Sequence, residues 1–358
     1  MDNFKEEFPG TKVYTYLNTA ATGLLSERVL EFRQEHAMDL LVAGDHLPLQ
    51  GKITTQTREA VARFFNASPN QVALIPNFSL GFNLLMEGVN PTAKILLVKD
   101  DYPSVEWAVE SRGFTTVYVA AGANMEEQIV EIVERQRPDI FIFSLVQWIS
   151  GIKIEESFLR KLKEDFPDLV LIADGTQYCG MEEFDFKASA LDVLGTSTYK
   201  WLNAGFGSAF FLFKEDNLKS ISPKSTGYGS RMGAYKEEKD TFIGKFEPGH
   251  LDGLSFGSLL VSLELLTEIG MDRVESHVRQ LALQAKEAFT AAELLSPEIS
   301  DRKTHSSIFN IKGDDSLFNQ LRSQGILCAQ RGAGIRVSFH YYNDSQDLDR
   351  LMKAISKT

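Results

Sequence analysis

Asp174 and Lys200 are the residues of this chain whose types and settings could do chemistry together. Asp174 follows Leu169-Val170-Leu171-Ile172-Ala173, a continuous apolar run of the kind that forms a strand buried on both faces. Its carboxylate therefore emerges at the carboxyl edge of a sheet, the edge at which open α/β folds bind ligands. A second β-rich run, Val193 to Tyr199, ends the same way at Lys200, and Gln177 stands three residues after the acid. A lysine amine can form an imine with an aldehyde, a carboxylate can hold a protonated ring nitrogen, and an amide can donate to a phenolic oxygen.

Those three demands are made together by pyridoxal phosphate, so the spacing points to that cofactor. Composition bounds the rest. A length of 358 residues fits about two domains, and 43% hydrophobic with 24% charged residues is globular usage. The net charge of −12 argues against a nucleic-acid partner, whose binding rests on neutralising phosphates. No apolar run reaches the ~18 residues of a membrane span. The acidic start, Met1 to Glu7, has no apolar signal core, and Cys179 and Cys328 give neither a disulfide framework nor metal spacing. The expectation is a cytoplasmic enzyme with no membrane, nucleic-acid or metal partner.

The elements that must position Asp174 and Lys200 read as alternating strands and helices. Residues 1–17 form an arm that ends in a strand over Val13 to Leu17, and Asn18-Thr19-Ala20-Ala21-Thr22-Gly23 is a small-residue turn that lets backbone approach a ligand closely. Ser26 caps the helix after it, and another helix runs from about Thr54 to Phe65. Strands are expected at Val72–Ile75, 94–100, 115–120, Ile140–Ser144, 169–173, 193–199 and 208–213. The link between the last two is too short for a parallel crossover, so the final strand returns antiparallel. Asn77 to Gly81 is the first turn of a helix, either an ordinary Asn cap or a phosphate seat with Phe78 backbone and the Ser79 hydroxyl as donors. Tyr102, before Pro103, stands at a strand-to-helix junction, where its ring stacks on a ligand or lies on the surface. Asn124 and Glu127 form a capping-box pattern for a helix that stops at Pro138. Periodicity fades over 223–248, which suggests a mobile loop, and returns as helix from Ser258 to Leu295 with a break at Gly270. The segment from Ile308 to Lys357 reads as a small α/β unit.

In that order these motifs resemble the class V aminotransferases, the fold-type I group of pyridoxal-phosphate enzymes that includes cysteine desulfurases, kynureninase and isopenicillin-N epimerase. The resemblance covers nearly the whole chain. It implies an α/β fold: a large cofactor-binding domain over 18–257 with a seven-stranded, mostly parallel sheet, and a small C-terminal α/β domain over 258–358. It implies Lys200 as the imine-forming lysine and proton shuttle, Asp174 on the ring nitrogen and Gln177 at the phenolic oxygen. Asn77, Phe78, Ser79, Ser197 and Tyr199 would surround the phosphate, with Tyr102 on the ring face. The turn through Asn18 and Ala20 would line the substrate side, and Trp148 stands where desulfurases carry an Asn. Gly334-Ile335-Arg336-Val337-Ser338 is similar to the family segment whose arginine holds the substrate α-carboxylate, which assigns that role to Arg336. His250 stands where a family Thr reaches the neighbouring subunit's phosphate, which implies a homodimer with shared sites.

The reaction class is an amino-acid transformation at Cα or Cβ: transamination, elimination or epimerisation. Desulfurases and selenocysteine lyases need a cysteine on a loop before the substrate arginine. Cys328 precedes Arg336 by only eight residues, inside a strand-like run, and Cys179 reads as a buried small residue. A cysteine-desulfurase-like lyase is therefore the second reading. A nucleotide-binding oxidoreductase is weakened because no G-x-G-x-x-G follows an early strand. A non-catalytic cofactor-binding module would have no use for Arg336.

Overall fold

The computed structural model describes residues 2–214, 218, 221–232, 236–237, 239 and 241–356. A two-residue strand, β1 (Thr15–Tyr16), precedes the main sheet, whose members are β2 (Val72–Ile75), β3 (Lys94–Val98), β4 (Thr115–Val119), β5 (Ile140–Ser144), β6 (Val170–Asp174), β7 (Val193–Ser197) and β8 (Ala209–Phe213). Their order across the sheet is β2-β8-β7-β6-β5-β3-β4. Only β8 runs antiparallel to its two neighbours, as the short link after Lys200 requires. β5 to β8 are buried along their whole length, because helices cover both faces and every position of these strands is apolar or hydrogen-bonded within the fold.

The C-terminal region carries a second sheet of β9 (Ile308–Ile311), β11 (Ala329–Arg331) and β12 (Gly334–Ser338), in the order β11-β12-β9 and antiparallel throughout. Between them β10 (Ile326–Leu327) pairs in parallel with β1, which ties the N-terminal arm to this region. Phe8 extends that tie, being fully buried against Tyr341 and Tyr342. The helix Gly253–Ile269 packs on Leu47–Phe64 and belongs to the main core, and the helix Met271–Ala291 joins the second core from Leu281 onward. They meet at 79° across Gly270, whose φ of 88° suits a residue without Cβ. Among the described residues no single helix is long and apolar enough to cross a membrane.

Local departures from the sequence reading have local causes. Val13 and Tyr14 are exposed, and Gly10–Val13 close a helical turn, so the expected strand shrinks to β1. The helix expected from Thr54 starts at Leu47, because Pro48 fits the first turn, where no N–H is needed. Asn124 makes no cap: at φ −107° and ψ 28° its side chain does not turn back onto the helix Met125–Gln136. Ser26 does cap, accepting from the Val29 N–H. Within 223–248, Tyr228–Arg231 and Ile243–Phe246 form single turns, and residues 233–235, 238 and 240 lie outside the described residues, as do 357 and 358.

Candidate functional site

Asp174 is the last residue of β6, in register with Ser144 of β5 and Gly195 of β7. It is buried, and its Oδ1 accepts the Thr176 N–H at 2.8 Å. Thr176 also bonds the carboxylate through its hydroxyl, and its Oγ1 accepts the Ser197 N–H at 3.0 Å, which locks the ends of β6 and β7 together. Burial raises the Asp174 carboxyl above its ordinary range, opposed by the Thr176 bonds and by the charge of Lys200. A ligand cation beside Asp174 would favour the ionised carboxylate and offset the cost of its burial. Thr176 is not among the sequence candidates; Asp174 accepting the N–H two residues on is an Asx-turn, which any residue type at 176 can complete.

Lys200 lies on the turn after β7, buried, with Nζ 5.3 Å from the Tyr102 ring and 5.6 Å from the Tyr199 ring. Burial depresses it to about 8, with Asp174 pulling the other way and Arg336 and Arg331 assisting the fall. Such a lysine is partly uncharged near neutrality and therefore nucleophilic. The turn through Asn18 to Gly23 presses on it from the side. The Gly23 N–H donates to the Tyr199 carbonyl at 2.8 Å, and a Cβ on Gly23 would lie 2.0 Å from the Lys200 carbonyl oxygen. The close approach expected at this turn is thus made, at Gly23, to the chain itself.

Gln177 is a clamp. Its Nε2 donates to the Ala20 carbonyl at 2.9 Å and its Oε1 accepts the Trp201 indole N–H at 2.7 Å, leaving one amide hydrogen uncommitted. Ala20 in turn donates its N–H to Ser338 Oγ of β12 at 3.0 Å. Trp201 stacks on His340 with ring centroids 5.2 Å apart. His340 Nδ1 accepts the Tyr341 N–H, so its Nε2 carries the proton and donates to the Trp201 carbonyl at 2.9 Å. Burial holds this imidazole neutral, down to about 3. No sequence signal marked His340, since its partner is 139 residues away.

Arg336 is only 2% exposed, on β12, and donates from Nη1 to the Trp148 carbonyl at 2.6 Å. Its Nε is buried without a partner, and among the described residues it forms no ion pair. Burial and the nearby charge of Arg331 push its guanidinium down to about 10. Trp148 stands between Arg336, whose Cζ lies 6.0 Å from its ring, and Tyr102, which meets it edge-on at 5.7 Å. The Trp148 Nε1 and the Asn18 Oδ1 are likewise buried and unpartnered. Two unanswered donors, Arg336 Nε and Trp148 Nε1, on and beside a cation leave this part of the site suited to an anionic group, and Asn18 Oδ1 is left as an acceptor for a ligand donor.

At the other end Asn77 caps the helix Phe78–Gly88, its Oδ1 accepting the Leu80 N–H at 2.9 Å. Phe78 is buried against Phe82 and Phe211, and the Ser79 hydroxyl shares a 2.7 Å bond with Ser104 at the start of the next strand-to-helix junction. Ser197 is buried at the end of β7, and Tyr199 stacks on Phe206 at 4.5 Å. His250 is exposed and stacks on Tyr228 at 5.3 Å. Asp101, not a sequence candidate, is a second buried acid: it accepts from Ser144 and from the Tyr102 N–H and is pushed up to about 6 by burial. Both cysteines are buried in apolar surroundings that raise their thiols, Cys328 to about 11. A groove of about 570 Å³ lined by Arg63, Phe64, Leu263 and Met271 holds none of these site residues.

The chain matches the family model for class-V aminotransferases over residues 15–351. It is 24% identical to a probable cysteine desulfurase of Ureaplasma parvum, over 100% of this chain and 97% of that protein. It is 23% identical to the isopenicillin N epimerase of Amycolatopsis lactamdurans, over 99% and 98% of the two chains. Among solved structures the apo cysteine desulfurase of Thermococcus onnurineus superposes with a TM-score of 0.86 at 16% identity, over 99% of this chain and 97% of that one. A cystine C–S lyase in complex with cysteine persulfide superposes at 0.82 with 21% identity, over 97% and 98%. At such identities the structures establish the fold, and the family match covers nearly the whole chain: this protein belongs to the class-V aminotransferases and depends on pyridoxal phosphate.

Proposed function

We propose that Lys200, Asp174 and Arg336 form one catalytic site that breaks the Cα–H bond of a small amino acid. The observation that carries the reading is Arg336, a buried guanidinium with no acid partner, in a site shared with a buried lysine of lowered pKa. In this reading Asp174 holds the cofactor's ring nitrogen, Tyr102 covers a ring face, and the spare Gln177 N–H meets the phenolic oxygen. The Phe78 and Ser79 amides, the Ser79 hydroxyl, Ser197 and Tyr199 hold the phosphate at the helix N-terminus. Pyridoxal phosphate, when bound, supplies an electron sink for the carbanion at Cα. Arg336 orients the substrate by a bidentate pair with its α-carboxylate, at the turn through Asn18 and Ala20 and beside Trp148. Lys200 takes and returns the proton at Cα. Transamination, elimination and epimerisation all pass through that proton transfer.

The cysteine-dependent desulfurase route is disfavoured by the burial of Cys328 in the second core, away from solvent, with its thiol raised. A C–S lyase that does not use an enzyme thiol stays within the reading. We further infer a homodimer in which His250 reaches the partner's site, supported by its exposure beside exposed Tyr228.

The test is direct. Borohydride should fix the cofactor to Lys200, as shown by peptide mapping. In D₂O the protein should exchange the Cα hydrogen of its amino-acid substrates, a reaction Lys200→Ala abolishes and Cys179→Ala/Cys328→Ala leaves within about an order of magnitude, roughly 1.4 kcal/mol. Attachment at another lysine, or exchange that survives Lys200→Ala, would sink the proposal; a collapse tied to Cys328 would restore the thiol route.

A further inference from the structure

Arg331 and Arg336 stand on one face of the small sheet. In the β11–β12 pair Ala329 is opposite Arg336, and Arg331 is opposite Gly334. Opposite residues project to the same side, and so do residues two apart along a strand. Arg331, Gly334, Arg336 and Ser338 therefore share a face. That face is the one turned to the site, since Arg336 donates to the Trp148 carbonyl and Ser338 accepts from Ala20. No side chain separates the two arginines at position 334, where a Cβ would lie 2.4 Å from the Ile311 carbonyl oxygen and 2.7 Å from Asn310 Oδ1. Asn310 also donates to the Arg331 carbonyl at 2.8 Å and so pins the end of β11.

The charges are unbalanced at this spot. Arg331 is exposed and forms no ion pair among the described residues; its guanidinium donates to the Gln330 carbonyl at 2.7 Å. Its charge is felt at both Arg336 and Lys200, where it opposes protonation. Among the described residues Tyr199 and Tyr102, and no carboxylate, oppose the fall at Arg336, while Asp174 does so at Lys200. The cost of an unanswered charge falls on buried Arg336; Arg331, exposed and hydrated, is a cation left open to a second anionic group of a ligand. The α-carboxylate of a substrate answers one of them. The unpartnered Trp148 Nε1 adds a further donor beside the pair.

We propose that the site selects an amino acid whose side chain carries its own anionic group, placed against Arg331 at the mouth while Arg336 holds the α-carboxylate. The inference rests on the reading of Arg336 given above. L-Aspartate against L-asparagine, and L-glutamate against L-glutamine, provide probes of nearly equal shape and different charge. Their half-saturation is read from the change in the cofactor's visible band on titrating the holoenzyme. For at least one pair the acid should bind about fivefold or more tighter than its amide, the scale of a partly screened ion pair, and added salt should narrow the gap. Arg331→Gln should bring the ratio close to one, and Arg331→Lys should keep most of it; the exposed position makes both variants safe for folding. Equal binding of acids and amides by the wild type, or a preference that survives Arg331→Gln, overturns the inference and leaves the role of Arg336 standing. If neither acids, amides nor alanine perturb the band, the reading of Arg336 falls and takes this inference with it.

Discussion

Asp101 accepts both the backbone N–H of Ser144, at 2.8 Å, and its hydroxyl, at 2.6 Å. Ser144 is the register partner of Asp174, so a second buried acid braces the strand beside the one assigned to the cofactor. Asp101 also holds the Tyr102 N–H at 2.6 Å, and it thereby fixes the start of the helix that presents the Tyr102 ring.

Asp101 makes stability depend on pH in a defined direction. Burial lifts its carboxyl from 3.8 to about 6, so the folded state holds the proton more tightly than the unfolded chain. Stability from this group is full below about pH 4 and is lost as pH rises to 6, on the order of 3 kcal/mol for about two units. Asp101→Asn removes the titration and one acceptor, so relative to wild type it should be less stable at pH 4.5 and gain ground by pH 7. Urea unfolding at the two pH values checks this; a difference that stays constant would mean that Asp101 does not titrate in this range.

In the proposed site Lys200 sets the pH at which the cofactor can be loaded. Depressed from 10.5 to about 8, its amine gains nucleophilic fraction from pH 7 to 9, well below the range of an exposed lysine. Apoprotein mixed with pyridoxal phosphate should recombine several-fold faster at pH 8.5 than at pH 7, followed by the visible band. A rate that keeps climbing through pH 10 would show an ordinary, unburied lysine.

Gly23→Ala tests the contact between the N-terminal turn and the lysine. The added methyl would meet backbone, the Lys200 carbonyl oxygen at 2.0 Å, and Asn203 Nδ2 at 2.6 Å, so the turn must move. A loss of about 1–3 kcal/mol is expected, the usual cost of overpacking. Cofactor affinity should fall with it. Unchanged melting and an unchanged visible band would remove this contact from the account.

The shared-site dimer is tested by mixing two inactive variants. If His250 reaches the partner's site, Lys200→Ala and His250→Ala chains should recover activity on subunit exchange, because one hybrid site receives both native residues. No recovery despite proven exchange, or an active monomer, argues against it, and a silent His250→Ala makes it a surface residue.

What the sequence by itself determined is local. A continuous apolar run placed Asp174 at the end of β6 and a β-rich run placed Lys200 on the turn after β7, because a strand buried on both faces admits a charge only where it leaves the sheet. Link length set the antiparallel return of β8, and Gly270 marked the break between two helices. The capping pattern at Asn124 and the strand at Val13 misled, since single propensities yield to the backbone angles and exposure that packing imposes. The tertiary structure alone decided which atoms answer one another. Gln177 meets Ala20 across 157 positions, Arg336 meets Trp148 across 188, and His340 meets Trp201 across 139. No periodicity encodes such pairs, because they arise when separate elements are packed face to face. The same holds for what is missing: that Arg336 is buried without an acid among the described residues, and that Cys328 is sealed in a core, are properties of neighbours brought from elsewhere in the chain.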